Sequence, residues 1–311
     1  MAILVAAEFS PDEWSVWWPA LQAAMPGEHL VRDRHAVLSQ DIDVALVANP
    51  ASGSLRELPG LRLIQSLWAG VDRLLIDATV PQHVPLARMV DPSMNTAMAQ
   101  TALWAVLSLH RGFFDYAQQQ RARQWQQHPL RRADDLQVAV LGLGQMGRAA
   151  ARLLVQHGYR VSGWSRHEVQ VQEVFARAGE AVLPQVLAEA QIVINLLPLT
   201  PETRGLFNAA TLAQMPRGTS LVNLARGAHV VDADLLAALD SGHVAHAVLD
   251  VFHDEPLPPG HAFWAHSRVT VLPHVAAPTD PRSATLVAAA NVQALREGRP
   301  LAHRVDRGRG Y

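Results

Sequence analysis

Three polar side chains in the C-terminal half of the chain stand just beyond short apolar runs. They are Arg226 in Asn223-Leu224-Ala225-Arg226-Gly227, Glu255 in Leu249-Asp250-Val251-Phe252-His253-Asp254-Glu255-Pro256, and His274 in Leu272-Pro273-His274-Val275-Ala276. An arginine can grip a carboxylate through a planar fork of donors. An imidazole can hand a proton to an oxygen on which charge develops, and a carboxylate beside it keeps it protonated near neutral pH. As a set they suit protonation of a carbonyl oxygen in a substrate held by its own carboxylate. Separately each has an ordinary structural reading. Most arginines are surface charges, a loop acid ahead of proline is commonly solvated, Asp250 could cap a strand end, and fifteen histidines are present. No His/Asp/Glu cluster has metal-ligand spacing on one helix, so no metal is expected.

A second constellation lies upstream. Gly142-Leu143-Gly144-Gln145-Met146-Gly147 follows the apolar run Val138-Ala139-Val140-Leu141 and opens a helical pattern. In this context the first glycine permits a tight turn and the second, Gly144, lets backbone approach a pyrophosphate. The third, Gly147, lets helix and strand pack closely. The helix N-terminus then offers N–H groups and positive dipole to phosphate. The next strand ends in Trp164-Ser165-Arg166-His167, where NAD-preferring sheets carry an acid for the ribose 2′-OH. Ser165 and Arg166 suit a 2′-phosphate instead, which points to NADPH, while Glu168 is close enough to keep NADH in play. With a hydride donor placed beside Arg226, Glu255 and His274, the chemistry becomes reduction of a 2-keto acid.

The elements that position these residues follow from periodicity. Met1 to Glu8 reads as an opening strand, because no basic residue precedes it and its apolar run is short for a signal peptide. Val44 to Val47 and Leu61 to Ser66 are further runs among helical patterns, which implies βαβ units. A long helix follows, capped by Asn95 or Thr96. Strands are expected at 137–141, 160–164, 191–196, 220–224, 245–251 and 268–272, a complete six-strand dinucleotide-binding sheet. Helices are expected to start at Arg148, Thr200-Pro201, Asn208 and Asp232, with Gly158 and Gly242 as left-handed ends. A last helix from Asp280-Pro281 to Gly298 lies outside that sheet and could pack on the N-terminal segment, making one domain discontinuous.

Composition removes other classes. The chain has 311 residues, 49% hydrophobic and 17% charged, with net charge −2, which gives no reason to expect nucleic acid or an anionic membrane as partner. It has no cysteine and no lysine, excluding disulfides, thiolate chemistry, Schiff bases and the P-loop lysine. No apolar run approaches the roughly 18 residues of a membrane span. A soluble cytoplasmic protein is expected.

At these residues the chain resembles the D-isomer-specific 2-hydroxyacid dehydrogenases over nearly its whole length. The matches are the glycine turn, Asn223 to Asp232, Leu249 to Pro258 and Pro273-His274-Val275-Ala276-Ala277. Ala69-Gly70-Val71-Asp72, Trp164-Ser165-Arg166, Asn195-Leu196-Leu197-Pro198 and the ending Val305 to Tyr311 resemble the glyoxylate/hydroxypyruvate reductase A branch. The resemblance implies two Rossmann-like α/β domains, a central coenzyme domain at 97–276 inserted in a flavodoxin-like substrate domain at 1–96 and 277–311. It also implies a homodimer and a preference for NADPH over NADH. Arg226 would bind the substrate carboxylate and carbonyl, His274 would donate the proton, and Glu255 would hydrogen-bond His274. The coenzyme would meet Gly142, Gly144, Gln145, Met146, Gly147, Ser165, Arg166, Leu197, Pro198, Ala225 and Asp250, the last at the nicotinamide carboxamide. Backbone at Trp68, Ala69 and Gly70 would hold the carboxylate from the other side.

Two departures bear on the substrate. Trp68 stands where a small residue is expected, and Ala99-Gln100-Thr101 stands where many family members carry an acid and a histidine. Trp125 could reach a partner subunit, or be a core or surface residue. A dehydrogenase for a different keto acid, and an inactive nicotinamide-sensing binding protein, are the rival readings; fold alone separates neither.

Overall fold

The computed structural model describes residues 1–310, so Tyr311, the end of one resembling motif, lies outside the described residues. Among the described residues the chain forms two compact units, one from Met1–Met94 together with the segment from Thr279 onward, the other Asn95–Pro278.

In the first unit the opening apolar run is β1 (Ala2–Ala7), followed by α1 (Pro11–Ala24), β2 (Leu30–Val31), β3 (Ile42–Ala48), β4 (Leu63–Ser66), α2 (Asp72–Ile76) and β5 (Leu86–Ala87). The strands pair in parallel in the order β2-β1-β3-β4-β5, the doubly wound order of flavodoxin-like sheets. Every residue of β3 is buried, as a central parallel strand covered on both faces requires. Helix α1 starts on a capping box: Glu13 N donates to Ser10 Oγ while Ser10 N donates to Glu13 Oε2, with Pro11 in the first turn. Such a cap contributes about 1 kcal/mol.

The long helix α3 (Pro92–His110) begins ahead of the expected caps Asn95 and Thr96. Asp91 Oδ1 accepts from Ser93 N at 2.9 Å, and Pro92 supplies a first residue that needs no N–H partner. After it come α4 (Phe113–Arg121), β6 (Gln137–Leu141), α5 (Gln145–Gln156), β7 (Arg160–Ser165), β8 (Phe175–Ala178), α6 (Leu183–Glu189), β9 (Ile192–Asn195), α7 (Ala209–Leu212), β10 (Thr219–Asn223), α8 (Asp232–Asp240), β11 (Val244–Leu249) and β12 (Val269–Val271). These strands form one parallel sheet in the order β12-β11-β10-β9-β6-β7-β8. Alternate residues feed opposite cores. Val138, Val140, Ile192, Ile194, Val222 and Val248 pack on one side. Ala139, Leu141, Val193, Leu221, Ala247 and Leu249 pack on the other.

Three expectations for this unit are corrected. Strand β8 adds an edge the six-strand reading lacked; it is short and half-exposed, and Arg177 within it pairs with Glu189, so it carries no apolar run. Thr200-Pro201 opens a turn rather than a helix. Thr203 Oγ1 accepts from Thr200 N and donates to Pro198 O, and Arg204 N makes a helical bond to Thr200 O, but the run breaks at Gly205, which sits at φ +63° and donates its N–H to Ala228 O instead. Helix α5 begins at Gln145, three residues before Arg148, inside the glycine turn itself.

Helix α9 (Pro281–Arg296) belongs to the first unit. Asp280 Oδ1 accepts from Arg282 N to cap it, and Gly298 closes it at φ +66°. Its buried Asn291 donates to Gln65 Oε1 on β4 at 2.7 Å and to Ala302 O at 3.0 Å. Among the described residues no helix is long and apolar enough to cross a membrane.

Candidate functional site

The glycine turn, Ser165-Arg166, Leu197-Pro198, Ala225-Arg226, Asp250 and His274 all lie in or just beyond the C-terminal ends of parallel strands, where open α/β sheets bind ligands. The turn after β6 carries the glycines. Gly142 has φ +99°, and its N–H donates to Trp164 O at 2.8 Å. A Cβ on Gly142 would meet Leu196 O at 2.6 Å, and one on Gly147 would meet Gly142 O at 1.8 Å, so both glycines are demanded by the protein's own backbone. Gly144 is different: its φ is −70°, and a Cβ there would have no heavy atom within 4 Å. Nothing in the fold requires glycine at 144, whereas a pyrophosphate lying against the backbone would. Gly144 is also the N-cap of α5 and makes no side-chain cap, which leaves the helix's leading N–H groups to another acceptor. The turn therefore fits a dinucleotide.

Past β7, Ser165 Oγ donates to His167 O at 2.6 Å, and Arg166 Nη2 lies 3.1 Å from Glu202 Oε2. Glu168 is exposed. Beyond β9, Leu197 N donates to Asn195 Oδ1, and Pro198 O accepts from Thr203 Oγ1. Ala225, past β10, is buried, and its carbonyl accepts from Arg226 Nη1 at 2.6 Å.

The three chemical residues come together through a relay of loops. Gly227 lets the Arg226 loop press against the next one, since a Cβ there would sit 2.0 Å from the Phe252 carbonyl carbon. Phe252 N donates to Glu255 Oε1 at 2.9 Å, and Glu255 Oε2 lies 2.7 Å from His274 Nδ1. His274 sits in the left-handed region at φ +55°, uncommon outside glycine. Asp250 holds it there: its carbonyl accepts from His274 N, and its two carboxylate oxygens accept from Val275 N at 2.7 Å and Ala276 N at 3.0 Å. Thr101, at one of the departing positions, donates from Oγ1 to Ala276 O at 2.9 Å and so ties α3 to the same loop. A cavity of about 360 Å³ lies between α3 at Ala97 to Trp104 and the segment Leu272 to Pro278, beside the His274 loop.

The electrostatics follow from these contacts. The hydrogen bond to Glu255 raises the His274 pKa; burial and the Arg226 charge oppose this, and the charges of Glu255 and Asp250 reinforce it. Burial pushes Glu255 up, but the bonds from His274 and Phe252 N and the charges of His274 and Arg226 outweigh it and leave the carboxyl below its ordinary value. Asp250 is raised by burial despite its two N–H donors. The imidazolium and the carboxylate are thus each favoured by the other. The roles of Asp250 in clamping the loop and of Glu202 beside Arg166 were not legible from sequence, since both act across loops far apart in the chain.

In the first unit Trp68, Ala69 and Gly70 follow β4. Trp68 N donates to Ser66 Oγ, and Trp68 O accepts from Ser66 Oγ and Met89 N. The Trp68 ring packs edge-on against Phe9 at 6.0 Å and Trp17 at 5.7 Å. Trp125 is a surface residue, 96% exposed.

The family model for the D-isomer specific 2-hydroxyacid dehydrogenase NAD binding domain matches residues 103–276. A glyoxylate/hydroxypyruvate reductase A of Yersinia enterocolitica is 38% identical over 95% of this chain and 96% of its own. The chain belongs to the D-isomer-specific 2-hydroxyacid dehydrogenase family. It is accordingly an NAD(P)-dependent oxidoreductase acting on CH–OH groups. A D-isomer specific 2-hydroxyacid dehydrogenase from Xanthobacter autotrophicus Py2, solved with NADPH and MES, superposes with TM-score 0.94 at 41% identity, covering 100% of this chain and 99% of that one. An NADPH-dependent glyoxylate/hydroxypyruvate reductase from Sinorhizobium meliloti, solved with NADP and sulfate, gives 0.92 at 35% identity and the same coverage.

Proposed function

We propose that this dehydrogenase works as an NADPH-preferring reductase of small 2-keto acids, glyoxylate and hydroxypyruvate among them. The observation that carries the proposal is the 2.7 Å His274–Glu255 pair, set with Arg226 at the C-terminal ends of the same sheet that carries the glycine turn. The relatives in Yersinia and Sinorhizobium that act on glyoxylate and hydroxypyruvate support the substrate class.

Gly142, Gly144, Gln145, Met146 and Gly147 would hold the pyrophosphate. Ser165 and Arg166 would take the 2′-phosphate, with Leu197, Pro198, Ala225 and Asp250 completing the coenzyme's surroundings. NADPH, when bound, supplies the hydride. Arg226 would fix the substrate carboxylate and polarise its carbonyl, and backbone at Trp68, Ala69 and Gly70 would contribute from the substrate domain. His274 engages Glu255 through Nδ1, which leaves Nε2 to donate the proton as negative charge gathers on the carbonyl oxygen. Glu255 stabilises the imidazolium until that transfer. We assign the coenzyme domain to 97–276 and the substrate domain to 1–96 with 277–311. We further propose a cytoplasmic homodimer; the run 120–132, exposed throughout and carrying Trp125, supports a second copy docking there.

The test is initial-rate oxidation of NADPH and NADH with glyoxylate, hydroxypyruvate and pyruvate, in wild type and His274→Ala. Turnover with NADPH that falls by about 10²–10⁴-fold in the variant is expected. Nucleotide binding without turnover on any keto acid would point to another substrate or to a sensing protein.

A further inference from the structure

The guanidinium assigned to the coenzyme's 2′-phosphate already has an anion beside it. Arg166 Nη2 and Glu202 Oε2 are 3.1 Å apart, and the two side chains keep 32% and 55% of their surface exposed. Arg166 follows β7, whereas Glu202 comes from the turn beyond β9. That turn is not a loose loop. Thr200 and Thr203 are buried, Thr200 N donates to Thr203 Oγ1 at 2.8 Å, Thr203 Oγ1 donates to Pro198 O at 2.8 Å, and Thr203 N and Arg204 N both donate to Thr200 O. The carboxylate is therefore presented to Arg166 by a braced backbone. Bonds from Thr200 and its own N–H, then Arg166, hold the Glu202 carboxyl below its ordinary value, so it is ionised at neutral pH.

We infer that Glu202 is a specificity-determining counter-charge, which holds Arg166 when no 2′-phosphate is present and moderates the preference for NADPH over NADH. The inference rests on the proposed reading that Arg166 receives the 2′-phosphate. A phosphate close to neutral pH carries up to two negative charges, so its approach to Arg166 makes it share the guanidinium with Glu202 and brings like charges together. NADH brings only a 2′-hydroxyl, which leaves the Arg166–Glu202 pair intact. The sequence departs from the usual acid at the end of the second strand, yet the fold restores an acid near that place from a different loop.

The test is equilibrium binding of NADPH and NADH, without substrate, to wild type, Glu202→Gln and Arg166→Gln. Glu202→Gln is expected to tighten NADPH by about three- to fivefold, the scale of an exposed ion pair, while NADH changes by less than about twofold. The difference should shrink as salt rises. An unchanged or reduced ratio of NADH to NADPH dissociation constants in Glu202→Gln, with NADPH weakened in Arg166→Gln, would overturn the role of Glu202 alone. Arg166→Gln binding both nucleotides like wild type would instead overturn the assignment of Arg166, and the inference with it.

Discussion

A histidine works as an acid at neutral pH only when something opposes loss of its proton, and at His274 that something is Glu255. Burial and Arg226 both push the other way, so the raised pKa depends chiefly on the carboxylate 2.7 Å from Nδ1, with a smaller contribution from the charge of Asp250. Glu255→Gln keeps the shape and a hydrogen-bond acceptor but removes the charge. The His274 pKa then falls, the protonated donor is lost at lower pH, and the alkaline limit of kcat/KM for keto-acid reduction moves downward. A pH–rate profile superimposable on that of wild type would remove Glu255 from this role. At this scale the sequence marked Arg226, Glu255 and His274 as candidates because each follows an apolar run, and the structure brings Glu255 to within 2.7 Å of His274. The sequence was silent on Asp250 as the clamp of the His274 loop and on Glu202, because a carboxylate's partner across two loops leaves no local pattern.

Elements were legible where a local signal had no competitor. Asn208 accepts from Ala210 N and Thr211 N at the start of α7, Asp280 caps α9, and Gly158 ends α5 at φ +83°. They were misread where a start signal is followed at once by a break, as at Thr200-Pro201 ahead of the left-handed Gly205, or where an edge strand has no apolar face, as in β8. The same Asp-Pro signal that marks α9 stands at Asp91-Pro92, ahead of the chosen caps of α3. The glycine turn separates structural from ligand-directed sequence within six residues. Gly147→Ala would place a Cβ 1.8 Å from Gly142 O, against backbone that cannot rotate away. We expect it to lose roughly 1–3 kcal/mol or more of stability, seen as a lower melting temperature. Gly144→Ala meets no protein atom, so its melting temperature should stay within about 2 °C while NADPH affinity drops at least about tenfold. Equal melting temperatures for the two variants, or unimpaired nucleotide binding by Gly144→Ala, would show that the turn is not read correctly.

At the scale of the whole molecule, the chain leaves its first unit near residue 94 and re-enters it near 279, so that unit depends on contacts between its two ends. Helical periodicity beyond residue 280 showed that a helix was there, but only the topology shows which polar groups join it to the sheet. Arg296, at the end of α9, is held by Glu28 Oε1 and Oε2 at 2.9 and 2.8 Å and by the carboxylate of Asp43, the second residue of β3. Asp43 is 2% exposed. Arg296 and Glu28 keep part of their surface in water, so burying the Asp43 carboxylate is the main cost and the cluster need not stabilise the fold relative to apolar residues; removing Arg296 is another matter, because the buried Asp43 is then left beside Glu28 without a cation. Arg296→Met keeps the length and apolar stem of the side chain, and should destabilise the first unit by about 3–5 kcal/mol. Urea unfolding should report a lower midpoint, with NADPH affinity at low urea within twofold of wild type, since the glycine turn lies in the other unit. Adding Asp43→Asn to Arg296→Met should recover part of the loss by removing the stranded charge. If the double variant were no more stable than the single one, the penalty would come from packing of the α9 end rather than from the unpaired carboxylate.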